Sequence, residues 1–174
     1  MRPYPCVPET MFSVDESVLT ITTQTMPTTG EQKEIRMKVF QVEQRGKQLH
    51  HEVLVDEIEV TNSICWSLDG KTMYLANSPS EQIHGYDYDA ETGNLSNKTL
   101  LYAMRDASKM DDFGCVPDGS VVDAEGYLWN AVWRDGQGPG MVQRIHPPTG
   151  AVVFTVHMPD GTSCVTWPCI GGPD

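Results

Sequence analysis

An all-β fold of repeated four-stranded units, a β-propeller, is predicted for this chain by three observations. Short runs rich in Val, Ile, Tyr and Trp are separated by Gly, Asp, Asn and Pro every 8 to 12 residues or so, the mark of closely spaced strands and turns. Apolar residues at helical spacing are nearly absent. A longer period then sits above the first. "NSICWSLDGKTMYLANSPSEQIHGYDYDAETGNL" starts at Asn62, and "DGSVVDAEGYLWNAVWRDGQGPGMVQRIHPPTGAVV" starts at Asp118. Both read polar residue, small residue, apolar strand, acidic-Gly turn, aromatic strand, loop, apolar strand, Thr-Gly turn. Asn62 aligns with Asp118 and Gly70 with Gly126, each 56 residues apart, and Thr92-Gly93 aligns with Thr149-Gly150 at 57. Repeats near 50 residues, each of about four short strands, are the propeller signature. A plain β-sandwich would explain the strands but not the recurring order of turns.

Taken along the chain, residues 1–35 read as an irregular or divergent N-terminal segment, and residues 36–174 as a partial propeller. The run Arg36 to Val42 is a strand leading to an Arg45-Gly46 turn, a weaker echo of the repeat. His50-His51 reads as surface strand, since an adjacent pair lacks the i, i+4 spacing of a zinc helix. Thr72 to Ala76 is a strand, and Asp87 to Gly93 a strand ending in a turn. The charged stretch from Met104 to Asp112 breaks the rhythm as a loop or one helical turn. Asp123-Ala124-Glu125-Gly126 is a hairpin turn equivalent to Leu68-Asp69-Gly70-Lys71. Gly150 to Val156 is a strand, and Met158-Pro159-Asp160-Gly161 a turn. Trp66, Trp129, Trp133 and Trp167 occupy strand positions and are expected in the core between blades.

Composition narrows the class of function. The 24 acidic against 12 basic residues give a formal charge of −12, which repels nucleic acid, and Lys and Arg never cluster beyond a pair. No apolar run approaches the roughly 20 residues that span a bilayer. The start, Met1 to Cys6, lacks the apolar stretch of a signal peptide, so a cytoplasmic location is expected. Five cysteines, at positions 6, 65, 115, 164 and 169, have no metal or redox spacing and are expected reduced and mostly buried. The two Asn-x-Ser/Thr sequons at Asn94 and Asn97 accordingly read as turn residues.

In a propeller the starts of the innermost strands converge on the mouth of a central channel. Asn62 and Asp118 occupy that place in consecutive repeats. Their side-chain oxygens are hard donors suited to Ca²⁺, Mg²⁺ or Mn²⁺. A cation there polarises a carbonyl, and a carboxylate beside it activates water. Spacing alone leaves open that both residues simply make Asx-type turns.

Beyond spacing, the motifs Asn62-Ser63 with Trp66-Ser67-x-Asp69-Gly70-Lys71, Tyr86-Asp87-Tyr88-Asp89, Thr92-Gly93, Pro117-Asp118-Gly119, Asp123-x-Glu125-Gly126, Leu128-Trp129 and Thr162-Ser163-Cys164 resemble the senescence-marker-protein/gluconolactonase family. The similarity covers roughly residues 36 to 174. The resemblance implies a six-bladed propeller with one divalent cation at the channel mouth and hydrolysis of sugar lactones and related esters. It implies that Asn62 and Asp118 are metal ligands and that Asp118 is also the general base. The cofactor expected is a divalent cation, Ca²⁺ first, with Zn²⁺, Mn²⁺ or Mg²⁺ as alternatives, and the expected partner is a small-molecule lactone. The sequence departs from the family in four places. It has no Glu-Gly-Pro-x-Trp motif (Glu9 has no matching context) and no Arg-x-Asn-Asp motif. Ser63 stands where the family has Gly, and Cys65 replaces an acidic or small residue. Six blades of about 45 residues need roughly 270, so 174 residues are expected to make three to four, as a partial chain. Two functions follow as expectations: metal-dependent hydrolysis of a small sugar lactone, or an inactive propeller fragment that binds calcium or another protein.

Overall fold

The computed structural model describes residues 19–24, 37–45, 48–104, 114–134 and 138–171. The described residues hold eleven β-strands, a single 3₁₀ turn at Ser78–Ser80 and no α-helix. Among the described residues no helix is long and apolar enough to cross a membrane. The chain forms two compact units, residues 1–61 and 62–174.

The first unit is an antiparallel meander of β1 (Leu19–Gln24), β2 (Met37–Arg45) and β3 (Gln48–Ile58). Leu19 faces Val42 across β1 and β2, and Val42 faces His51 across β2 and β3. β1 lies inside the stretch 1–35 that the sequence reads as irregular. β2 carries the run expected from Arg36 to Val42, and its Val39 and Val42 are buried. His50 and His51 are exposed on β3, as a surface strand requires. Gly46 of the echo turn and the remaining positions of 1–35, including Cys6 and Glu9, lie outside the described residues, as do residues 105–112 of the charged stretch.

The second unit contains two four-stranded antiparallel meanders. One runs β4 (Thr61–Trp66), β5 (Thr72–Asn77), β6 (Gln82–Tyr88) and β7 (Leu95–Ala103). The other runs β8 (Cys115–Val122), β9 (Leu128–Arg134), β10 (Met141–His146) and β11 (Ala151–His157). The sequence repeat is a repeat of backbone geometry. Gly70 and Gly126 take φ of 68° and 84°, and each returns its N–H to the carbonyl three residues back, Ser67 and Asp123, at 2.9 Å. Such positive φ is open to glycine and strained for other residues. The two Thr-Gly turns close alike, Gly93 onto Asp89 and Gly150 onto His146. Asn94 lies at the first of these turns, whereas Asn97 falls within β7.

The sheets of the second unit are joined by a shared core. Tyr74, Ala76 and Ile83 from the first pack on Leu128 and Ile145 from the second, flanked by Cys65, Leu101, Tyr102 and Val122. Each fully buried aliphatic side chain stabilises the fold by about 1.5–3 kcal/mol. Beside it, Met104, Cys115, Val132 and Met141 form a smaller cluster. The cysteine expectation needs correction. Cys115 is buried and Cys65 half-buried, but Cys164 and Cys169 are exposed, and none of the four is in a disulfide. Both exposed thiols ride on the irregular segment after β11, which is tied to the sheet by the Cys164–Trp133 bridge and by backbone bonds from Gly119, Arg134 and Gly140 to Thr166, Ser163 and Thr162. Trp167 on that segment is 48% exposed, in contrast with the core position expected for it.

Candidate metal centre

Asn62 and Asp118 sit on β4 and β8, the first strands of the two meanders, and both are half-buried. Asp118 does not occupy a hairpin turn. It lies inside β8, where Pro117 pairs with Val132 and Ser120 with Asn130, so Asp118 and Gly119 together oppose the single residue Ala131. That is a β-bulge, a device that re-aims side chains and is common beside functional sites. Gly119 is required there, because its N–H bonds to the Thr166 carbonyl at 2.8 Å. A Cβ at this position would stand 2.6 Å from that oxygen and 2.9 Å from the Trp167 ring. The Pro-Asp-Gly string therefore encodes a bulge under a crossing segment.

Hydroxyl groups bind the two first strands together. The Ser63 hydroxyl, adjacent to Asn62, donates to the Asp118 carbonyl at 2.5 Å. The Ser78 hydroxyl, on the 3₁₀ turn after β5, donates to the Pro117 carbonyl at 2.6 Å. Ser78 also accepts a hydrogen bond from Asn62 Nδ2 at 2.8 Å. Beneath them lies Asn130 on β9, fully buried. Its amide nitrogen donates to Ser63 Oγ at 3.0 Å, to Ser120 Oγ at 2.9 Å and to the Asp118 carbonyl at 3.2 Å. Ser120 in turn donates to Ser63 Oγ at 3.0 Å. Ser63 is held at φ 57°, the left-handed region, which gives a physical reason for glycine at the equivalent family position.

The donor set fits a hard cation in kind. A carboxamide oxygen and a carboxylate are hard donors of the kind that suits Ca²⁺ or Mn²⁺, and they belong to strands whose backbones are clasped by short hydrogen bonds. In number the set is small: among the described residues no three His, Cys, Asp or Glu side chains cluster to hold a metal. Burial pushes the neighbouring Cys65 thiol up to about 12, which keeps it protonated at neutral pH in the metal-free protein.

Sequence reasoning did not single out Ser78 or Asn130. Their partners lie 39 residues away for Ser78–Pro117 and 67 for Asn130–Ser63, beyond any local pattern. One signal was present: Asn130 interrupts the otherwise apolar run Leu128-Trp129-x-Ala131-Val132, and a polar residue on a buried strand needs partners.

The model of the family described as SMP-30/Gluconolactonase/LRE-like region matches residues 15–174. Regucalcin of Xenopus laevis is 41% identical over 121 residues, which are 68% of this chain and 36% of that protein. Regucalcin of Homo sapiens is 35% identical over 125 residues, 71% of this chain and 37% of that protein. The chain thus spans little more than a third of the length of these curated relatives. Among solved structures, a luciferin-regenerating enzyme superposes with a TM-score of 0.67 at 30% identity, covering 88% of this chain and 47% of that one. A calcium-binding protein, regucalcin from Agrobacterium tumefaciens, gives 0.66 at 28% identity, covering 91% and 47%.

Proposed function

Because this chain belongs to the SMP-30/gluconolactonase/LRE-like family, we propose that it carries the metal-binding core of a lactone hydrolase, with Asn62 and Asp118 as metal ligands and Asp118 as general base. The observation that carries the reading is the pair of hydroxyl bridges, Ser63 to Asp118 and Ser78 to Pro117, which hold the two candidate residues on neighbouring strands. In the same reading the two meanders are successive blades of a propeller, and residues 36–174 form its partial ring. When bound, a divalent cation, Ca²⁺ in the first instance, supplies Lewis-acid polarisation of the lactone carbonyl. The Asp118 carboxylate accepts a proton from the attacking water as its oxygen bonds to the carbonyl carbon. The ring C–O bond breaks, the proton passes to the departing oxygen, and a hydroxy acid results.

The small donor set supports a second reading, a non-catalytic module that binds calcium weakly or docks on another protein. Hydrolysis of a sugar lactone, followed by pH-stat with Ca²⁺, Mn²⁺, Mg²⁺ or Zn²⁺ added in turn, separates the two. The hydrolase reading expects metal-stimulated turnover that Asp118→Ala abolishes with the fold intact. No turnover under any metal, with Ca²⁺ binding retained, favours the module. Turnover indifferent to Asp118→Ala sinks the assigned role of that residue.

A further inference from the structure

Ser78 stands just outside the proposed ligand pair, and its hydrogen bonds have a consequence for which atom of Asn62 faces a cation. The side chain is 5% exposed, and the 3₁₀ turn that carries it has Pro79 inside it. A hydroxyl has one proton to give. That proton is committed to the Pro117 carbonyl at 2.6 Å, which can only accept. Ser78 Oγ must therefore accept from Asn62, so the end of the carboxamide 2.8 Å away is the NH₂. The two ends of an Asn side chain are otherwise nearly isosteric, and the surrounding network decides which way it lies. We propose that Ser78 is a positioning residue that sets the flip state of Asn62, turning an amide with two equivalent orientations into a dedicated oxygen ligand beside Asp118.

The inference rests on the metal-ligand reading of Asn62 and Asp118, and extends it to a residue that touches no cation. The same hydroxyl also couples the two ligands. Through it, the Asn62 side chain is joined to the carbonyl immediately preceding Asp118, so a shift of either strand disturbs both donors. Partners that orient metal ligands typically change affinity by about 10- to 100-fold when removed. Ser63 clasps the strand as well, but through the Asp118 carbonyl, and it does not hold the Asn62 side chain.

The test uses the 174-residue chain and Mn²⁺ alone, followed by water-proton relaxation, together with NMR of the Asn62 side-chain amide. In the wild type, the Asn62 NH₂ protons are expected to show NOEs to the Ser78 Hβ protons and slow exchange with solvent. Ser78→Ala is expected to abolish that protection, leave backbone-amide protection on β4 and β5 unchanged, and raise the Mn²⁺ Kd about 10-fold or more. Ser78→Thr, which keeps the hydroxyl, is expected to retain most of the affinity. Wild-type NH₂ protons with no NOE to Ser78 and fast exchange would overturn the proposal even if the alanine variant failed to fold. So would Ser78→Ala with unchanged Mn²⁺ affinity where Asn62→Ala weakens binding. If Asn62→Ala and Asp118→Ala both leave Mn²⁺ binding unchanged, the metal-ligand reading itself fails, and the role of Ser78 falls with it.

Discussion

Ser63 joins two opposing demands at one residue. Its φ of 57° is costly for any residue with a Cβ, about 1–2 kcal/mol relative to glycine. Its buried hydroxyl meanwhile donates to the Asp118 carbonyl and accepts from Ser120 and Asn130. Removing a buried hydroxyl that satisfies several partners costs about 1–3 kcal/mol. Ser63→Ala keeps the strain and loses the hydroxyl, whereas Ser63→Gly loses the hydroxyl but relieves the strain. Urea unfolding should therefore place Ser63→Ala last, below both the wild type and Ser63→Gly. A glycine variant less stable than the alanine one would show that the left-handed geometry contributes little. Asn130 is the counterpart in this network. Its nitrogen is fully used, yet its Oδ1 is buried without a protein partner among the described residues. At this scale Asn62 and Asp118 stand out in the sequence as candidates because each begins a repeated motif. Ser78 and Asn130 do not, since their roles depend on contacts made only after the two sheets meet.

The β8–β9 hairpin shows how an element reuses a turn residue. Asp69 and Asp123 lie in equivalent turns, though not at the same position, and the sequence legibly assigned both turns from their acidic-Gly pattern. Asp69 bonds only within its own turn, to Ser67 Oγ and the Lys71 N–H. Asp123 accepts from the Glu125 and Tyr127 N–H groups and also from the Trp129 indole and the Arg144 guanidinium. Arg144 closes the cluster, 3.8 Å above the Tyr127 ring, with a further ion pair to Glu125 at 3.2 Å. The 56-residue offset places Asp123 on Ser67 rather than on Asp69, and its added donors, Trp129 and Arg144, arrive from β9 and β10. Burial by itself raises the Asp123 pKa, but the donors from Tyr127, Trp129, Arg144 and Glu125 outweigh it and hold the carboxyl below the usual range. A depressed folded-state pKa contributes stability that is present above the unfolded value, about 3.9, and is lost as pH falls through the folded value. Thermal unfolding should thus show a loss of stability below about pH 4 that is smaller in Asp123→Asn. The Asp123 side chain is half-buried and gathers several donors, so Asp123→Ala should cost about 1–3 kcal/mol at neutral pH, as leaving such donors without their acceptor does. Gly126→Ala tests the backbone of the same hairpin. The added Cβ would have only Leu68 Cδ1 near it, at 3.8 Å, so the loss should reflect φ alone, about 1 kcal/mol. Gly70→Ala, with open space around it, should cost the same. Unequal losses would mean that the two turns are not equivalent.

For the whole molecule, the decisive quantities are the number of cation ligands and the charge that surrounds them. Ca²⁺ takes six to eight oxygens, and each missing carboxylate removes both a bond and a unit of opposite charge. In the proposed reading Asn62 and Asp118 offer two side-chain donors, with no cluster of three acidic, His or Cys side chains among the described residues to add to them. Water would have to fill most of the shell, which places the expected affinity near the weak end for protein sites, a Kd of about 10⁻⁴–10⁻³ M. The net charge of −12 supplies a general attraction that no single residue owns. It acts over a distance that falls from about 30 Å at 0.01 M salt to about 8 Å at 0.15 M. Ca²⁺ binding, followed by a calcium electrode, should therefore weaken several-fold between these two conditions, and Asp118→Ala should remove the saturable part at either. Long-range charge was legible from composition alone, whereas the ligand count depends on which side chains the folded strands bring together. A sub-micromolar Kd that is insensitive to salt would contradict this account, because it requires a nearly complete shell of fixed protein oxygens. A saturable site that survives Asp118→Ala would place the cation away from the β8 bulge.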